Sequence, residues 1–109
     1  PIGAFRFGPG MMEIGSHIGP IKAERVFAGL GAAWGLPVHW GTFQLSSEAR
    51  DTPPRMLAAV MQCGGYANPA RFAAHGLGEA WTVPPLGTPD IRPAPPASCL
   101  DSKAVTGLE

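Results

Sequence analysis

Leu36-Pro37-Val38-His39-Trp40-Gly41-Thr42-Phe43 is the stretch of this 109-residue chain that says most about its fold. Residues 34–40 form a short apolar run, which predicts a buried strand, and Pro37 restricts that strand to a start or an edge. His39 lies at the end of the run, and Gly41 follows soon after. This arrangement is a common way to aim an imidazole into a metal site, so His39 is a candidate metal ligand.

The pattern around this stretch alternates between strand and helix. Strands are also expected at residues 1–7 and 79–83. One helix is predicted to begin at Pro20 and end near residue 31, with the apolar stripe Ala23, Val26, Phe27 and Leu30. A second is predicted from Asp51 to the glycines at 64–65, with the stripe Met56, Leu57, Val60 and Met61, and a short one over residues 68–74. The order indicates α/β layering. Because three strands cannot form a self-sufficient sheet covered on both faces, the remaining strands are expected to come from other polypeptide.

Length and composition restrict the class of protein. A chain of 109 residues holds one modest core. The 8 basic and 8 acidic residues balance, which argues against nucleic acid or an anionic membrane as a partner. No apolar run reaches the roughly 20 residues needed to span a bilayer, so a transmembrane protein is not expected.

The cysteines and the two ends of the chain carry further expectations. Cys63 and Cys99 lack CxxC spacing and indicate no disulfide framework, which favours a reducing, cytoplasmic location. The opening at Pro1 suggests a fragment of a larger protein. Prolines crowd residues 84–96, so residues 1–85 are expected to form the folded part and residues 86–109 an extended tail.

Three histidines and one carboxylate are the candidate functional residues. His39 lies among apolar neighbours, so its imidazole needs either a hydrogen-bond partner in the core or a metal. His17 precedes a helix and is either solvated, a local cap or part of a site. His75 is expected at the surface, and Glu48 either stabilises a turn or reaches toward His39. Because HxHxDH, HExxH and a nucleophile elbow are all missing from this sequence, the chain alone cannot be a complete zinc enzyme.

Several blocks together resemble the C-terminal portion of metallo-β-lactamase-fold hydrolases. The resemblance covers roughly residues 1–85. The blocks are Pro1-Ile2-Gly3-Ala4-Phe5, His17 with Pro20, the stretch from Leu36 to Phe43, Leu45, Glu48, Pro53-Pro54 and Gly78-Glu79. They are most similar to the branch that contains N-acylphosphatidylethanolamine-hydrolysing phospholipase D and relatives of ascorbate-6-phosphate lactonase. The resemblance implies an α/β fold, namely the C-terminal half of a four-layer αββα sandwich that is incomplete alone.

The same resemblance implies a metal-dependent hydrolase. It places a metal ligand on His39, and it gives His17 a role in orienting substrate or assisting proton transfer. Two metal ions, usually zinc, with manganese or iron as alternatives, would activate a water that cleaves an ester, phosphodiester, lactone or amide. The implied partners are an N-terminal half bearing HxHxDH and a small-molecule or lipid-like substrate. The alternative is a non-catalytic α/β interaction or structural module in which His39 is a packed core residue.

Overall fold

Helices are the regular secondary structure of residues 1–6, 17–87 and 95–107, which are the residues described by the computed structural model. Helix α1 spans Gly19–Gly29 and helix α2 spans Thr52–Cys63. Shorter elements follow: a 3-10 turn over Pro69–Arg71, helix α3 over Ala97–Leu100 and helix α4 over Lys103–Thr106. Both of the longer predicted helices are confirmed. None of these described helices is long and apolar enough to cross a bilayer.

Helix α2 has the apolar face that the sequence predicts. Its stripe of Met56, Leu57, Val60 and Met61 is buried, and the helix ends at Gly64 as expected. Helix α1 is rotated relative to its predicted stripe. Ala23 and Phe27 are buried, but Val26 and Leu30 are 51% and 76% exposed. The core-facing side of α1 instead includes the fully buried Glu24.

The predicted α/β sandwich half is wrong for this chain, because the described residues contain no sheet. Among the described residues, extended pairing consists of one parallel bridge between Gly35 and Phe72 and of two backbone hydrogen bonds donated by the N–H groups of Ile2 and Gly3. These donate to the carbonyl oxygens of Val38 and His39 at 2.9 Å each. The backbone is left-handed on both sides where this pairing ends, at Ala4 (φ 56°) and at His39 (φ 64°), a conformation that extended strands do not adopt. The predicted strand over residues 1–7 reaches position 7, which lies outside the described residues.

Two apolar clusters hold the elements together. The first joins α1 and α2 to the segments around them and contains Ile2, Ala23, Phe27, Leu57, Met61, Tyr66 and Phe72. The Phe27 ring stacks on Phe72 with centroids 5.0 Å apart. The second cluster consists of Met56, Val60 and Val105, with Phe5, Ile21, Ala59 and Leu100 packed against it. It attaches α3 and α4 to α2.

The C-terminal part of the chain is joined covalently to α2. A disulfide links Cys63, the last residue of α2, to Cys99 in α3, so the prediction of no disulfide is wrong. We call residues 95–107 the tail segment. It carries α3 and α4 within the region expected to be extended, while residues 88–94 and 108–109 of that region lie outside the described residues.

Candidate functional site

His17 and His39 are neighbours in the structure, although 22 positions separate them in the chain. Their ring centroids lie 5.3 Å apart with an angle of 49° between the ring planes. These are the two residues that the sequence nominates for a site. The structure therefore brings together an imidazole predicted to bind metal and one predicted to orient substrate.

Both histidines are held by apolar neighbours in the chain. Ile18, next to His17, and Trp40, next to His39, pack against the same first cluster. His17 is half-buried and His39 is exposed, so His39 is not the packed core residue that the alternative interpretation requires. The common cluster explains why two distant segments present their histidines at one place.

Backbone contacts fix His39 further. Its carbonyl oxygen accepts a hydrogen bond from the N–H of Gly3 at 2.9 Å. A Cβ atom on Gly3 would overlap that oxygen and lie 3.0 Å from the Cα of Trp40. Only glycine therefore allows the first residues of the chain to approach His39 this closely.

The two histidines line two different cavities. His39 lies in the wall of a cavity of about 520 Å³, together with Leu36, Phe43, His75, Leu77 and Trp81. His17 lies in the wall of a second cavity of about 370 Å³, whose lining includes Phe5, Arg6, Lys22 and Arg25. Both cavities have mainly apolar walls, and Arg6, Lys22 and Arg25 add cationic groups to the smaller one.

The centroid spacing of the histidine pair is similar to that of two imidazoles on one metal ion. Two imidazoles on one tetrahedral zinc, with Zn–N bonds of about 2.0–2.1 Å, have ring centroids roughly 5 Å apart. The observed 5.3 Å matches that spacing. Within the described part of the chain, no group of three or more His, Cys, Asp or Glu side chains is arranged to hold a metal. A metal held by this pair would thus need further ligands from outside the described residues.

Glu48 stabilises backbone and does not extend the histidine pair. Its carboxylate accepts hydrogen bonds from the N–H groups of Phe5 and Arg6 at 3.1 Å each and from the Ser46 hydroxyl. Burial on its own raises the pKa of Glu48, but these hydrogen bonds to the carboxylate outweigh burial and lower it. Glu48 is therefore held ionised, and it ties the start of the chain to residues 46–48.

His75 and Asp51 make local contacts away from the histidine pair. His75 is half-buried beside Trp81, with ring centroids 5.7 Å apart, so it is less exposed than the sequence predicts. Asp51 occupies the N-cap position of α2 as predicted, but its side chain makes no capping hydrogen bond. It pairs instead with Arg55, one turn further on, at 3.3 Å.

Sequence reasoning missed one buried polar pair in the core. Glu24 is fully buried, and its Oε1 accepts a hydrogen bond from the Tyr66 hydroxyl. Its second oxygen, Oε2, is buried without a hydrogen-bond partner among the described residues. Burial raises the pKa of Glu24, although the Tyr66 hydroxyl and the nearby Arg25 oppose the increase. The one signal in the sequence is the position of Glu24 directly after Ala23 on the apolar side of α1.

None of the protein-family models, curated proteins or solved structures compared with this chain matches it. The resemblance of residues 1–85 to metallo-β-lactamase-fold hydrolases stays a prediction.

Proposed function

We propose that this chain supplies a histidine pair to a metal-dependent hydrolase. The observation that carries the proposal is the 5.3 Å separation of the His17 and His39 rings. His39 would donate a ring nitrogen to the metal, and its exposed side chain leaves room for ligands from another polypeptide segment. Zinc is the metal that we favour, and manganese or iron are the alternatives.

The two residues have different surroundings, which supports different roles. His39 lines the larger cavity, whereas His17 lines the smaller one together with Lys22 and Arg25. When bound, a metal ion would lower the pKa of a water and polarise the oxygen of the bond to be cleaved. His17 would orient the substrate or carry a proton beside that position, because the two ring nitrogens of an imidazole can donate and accept hydrogen bonds.

The proposal includes a partner and a substrate class. The remaining ligands would come from a segment that bears HxHxDH, and the substrate would be a small molecule or a lipid-like ester, phosphodiester, lactone or amide. The exposed apolar residues Leu36, Val38 and Phe43 beside His39 are a suitable contact surface for such a segment. The Cys63–Cys99 disulfide removes the reason for which a cytoplasmic location was expected, so the proposal includes no compartment.

A metal-binding comparison of the three histidines tests the proposal. The chain would be titrated with Zn²⁺ by calorimetry as the unchanged protein and as the variants His39→Ala, His17→Ala and His75→Ala. We expect His39→Ala to weaken Zn²⁺ binding, because it removes the proposed ligand, and His17→Ala to weaken it much less, because His17 is proposed to act beside the metal. The matched control His75→Ala should bind like the unchanged protein, since His75 lies against Trp81 and outside the pair.

If His39→Ala binds Zn²⁺ with the same affinity as the unchanged protein, His39 is not a metal ligand. A separate experiment measures hydrolysis after a polypeptide bearing HxHxDH has been added to the chain. Activity that survives His39→Ala in that mixture would exclude His39 from the reaction.

A non-catalytic interaction or structural module is the second candidate, in a form that does not need His39 to be packed in the core, because His39 is exposed. Two observations favour it. The described residues enclose two apolar clusters of their own, and a disulfide joins the tail segment to α2. A chain that folds as a metal-free monomer and binds no Zn²⁺ would support this candidate over the hydrolase.

A further inference from the structure

The disulfide between Cys63 and Cys99 closes a sequence separation of 36 residues and fastens the tail segment to the end of α2. Its two sulfur atoms have different surroundings. Cys63 is exposed at the surface, whereas Cys99 is only 4% exposed. A thiolate from solution therefore has access to the bond from the Cys63 side, which is a requirement for thiol–disulfide exchange.

Besides the disulfide, the tail segment is held by side-chain packing, in which Pro95 and Val105 are buried. Among the described residues, the backbone hydrogen bonds of this segment all join residues within it, such as Asp101 N–H to the Ala97 carbonyl oxygen. Helices α3 and α4 have four residues each, a length at which an isolated helix is unstable in water. Val105 and Leu100 pack on α2.

The tail segment covers residues that also shape the cavity beside His17. Phe5, Ile21 and Met56 belong to the second apolar cluster, in which Val105 is fully buried. The same three residues line the cavity of about 370 Å³ that contains His17. Movement of the tail segment would thus change the packing of one wall of that cavity.

We propose that the Cys63–Cys99 disulfide is a redox-sensitive clasp that holds the tail segment over this wall. A dithiol reductant breaks the S–S bond, two cysteine thiols form, and the reductant leaves as a disulfide, so that two electrons and two protons are transferred. With the clasp open, the tail segment leaves α2, and Phe5, Ile21 and Met56 lose their cover. The reduced chain then presents an apolar face and an altered cavity next to His17. This inference does not depend on metal binding or on hydrolysis.

Hydrogen exchange of the full chain, followed by mass spectrometry with and without dithiothreitol, tests the clasp. Thiol titration would confirm that both cysteines are reduced. In the reduced chain we expect the amides of residues 97–107 to exchange on the order of 100-fold faster, because the constraint of the closed loop is removed. The amides of α1 and of the first two turns of α2 should keep their protection, since the first apolar cluster does not include the tail segment.

Two further measurements make the test sharper. The double variant Cys63→Ser with Cys99→Ser should exchange fast in the tail segment with or without dithiothreitol. If that variant does not fold, the reduced wild-type chain supplies the same comparison. In NMR spectra, the ring resonances of His17 should move on reduction, whereas those of His75, which lies against Trp81, should not.

Three outcomes would overturn the proposal. The tail segment could keep its protection after both thiols have formed, which would show that packing alone holds it. The whole chain could lose protection together on reduction, which would make the disulfide a general stabiliser of the fold. Lastly, dithiothreitol could fail to reduce the folded chain, which would exclude a redox-sensitive role.

Discussion

Gly3 and His39 make the backbone contact on which the candidate site depends. A methyl group at position 3 would overlap the His39 carbonyl oxygen, and it would also lie 3.2 Å from the carbonyl carbon. The variant Gly3→Ala should therefore displace residue 39, weaken Zn²⁺ binding and lower the free energy of unfolding by roughly 1–3 kcal/mol, as overpacked sites do. Calorimetry and urea denaturation measure the two effects.

The matched control for this prediction is Gly29→Ala. Gly29 is the last residue of α1, and a Cβ placed there meets nothing within 4 Å. Its substitution should leave both Zn²⁺ binding and stability nearly unchanged. Equal effects of the two substitutions would show that the contact between Gly3 and His39 has no special importance.

Glu24 makes stability depend on pH in a direction that can be worked out. Burial raises the pKa of Glu24 in the folded chain above its value in the unfolded chain, so the folded state favours the protonated form. The contribution of Glu24 is fully present below the unfolded pKa and is lost as the pH rises through the folded pKa. The free energy of unfolding of the wild-type chain should thus fall with rising pH relative to that of Glu24→Gln.

Urea denaturation of both proteins between about pH 4 and pH 8 checks this prediction. The difference between the two curves isolates Glu24 from the other titrating groups. Gln62→Ala is the control, because it changes an exposed residue of α2 that carries no titrating group, and its difference from the wild type should not vary with pH. Parallel curves for the wild type and Glu24→Gln would contradict the assignment.

At the scale of the elements, α2 is the part that the rest of the chain packs on. Leu57 is fully buried in the first cluster, whereas Gln62 on the same helix is exposed. We expect Leu57→Ala to lower the free energy of unfolding by about 2–5 kcal/mol and Gln62→Ala to change it by less than about 0.5 kcal/mol. Urea denaturation measures both values. A small effect of Leu57→Ala would mean that α2 is not packed as described.

The helices were predictable because their signals are local. Proline near each start, glycine after the end of α2 and the spacing of Met56, Leu57, Val60 and Met61 all act within one or two turns. The strands depended on partners that the sequence does not reveal. Residues 34–40 have a strand-like composition, but nothing in their pattern announces the left-handed backbone at His39, where the pairing ends.

Parts of the site were predictable only one residue at a time. His17 and His39 could be named as candidates, yet their approach depends on Ile18 and Trp40 reaching one common cluster. That contact is a tertiary property, and the spacing of the residues does not contain it. The disulfide is likewise a tertiary property, because the path of the folded chain brings Cys63 and Cys99 together. Glu24 could be placed on a helix, but a charged residue on the buried side contradicts the usual pattern.

At the scale of the whole molecule, the helical fold predicts the spectroscopic behaviour of the chain. The described residues contain helices and no sheet, and they enclose two apolar clusters. The isolated chain should therefore give a helical far-UV circular dichroism spectrum and unfold in one cooperative transition. A β-rich spectrum, or folding only after a partner polypeptide is added, would instead support the sandwich that the resemblance implies.

The left-handed backbone at His39 lowers the stability of the fold at a position where the imidazole is proposed to bind metal. A residue with a side chain pays about 1–2 kcal/mol for this conformation, whereas glycine adopts it freely. Any selection for thermal robustness alone would thus reward replacing this histidine by glycine, at the expense of the imidazole. Laboratory evolution for stability alone would favour loss of the His39 imidazole, so such selections need a metal-dependent readout from their first round.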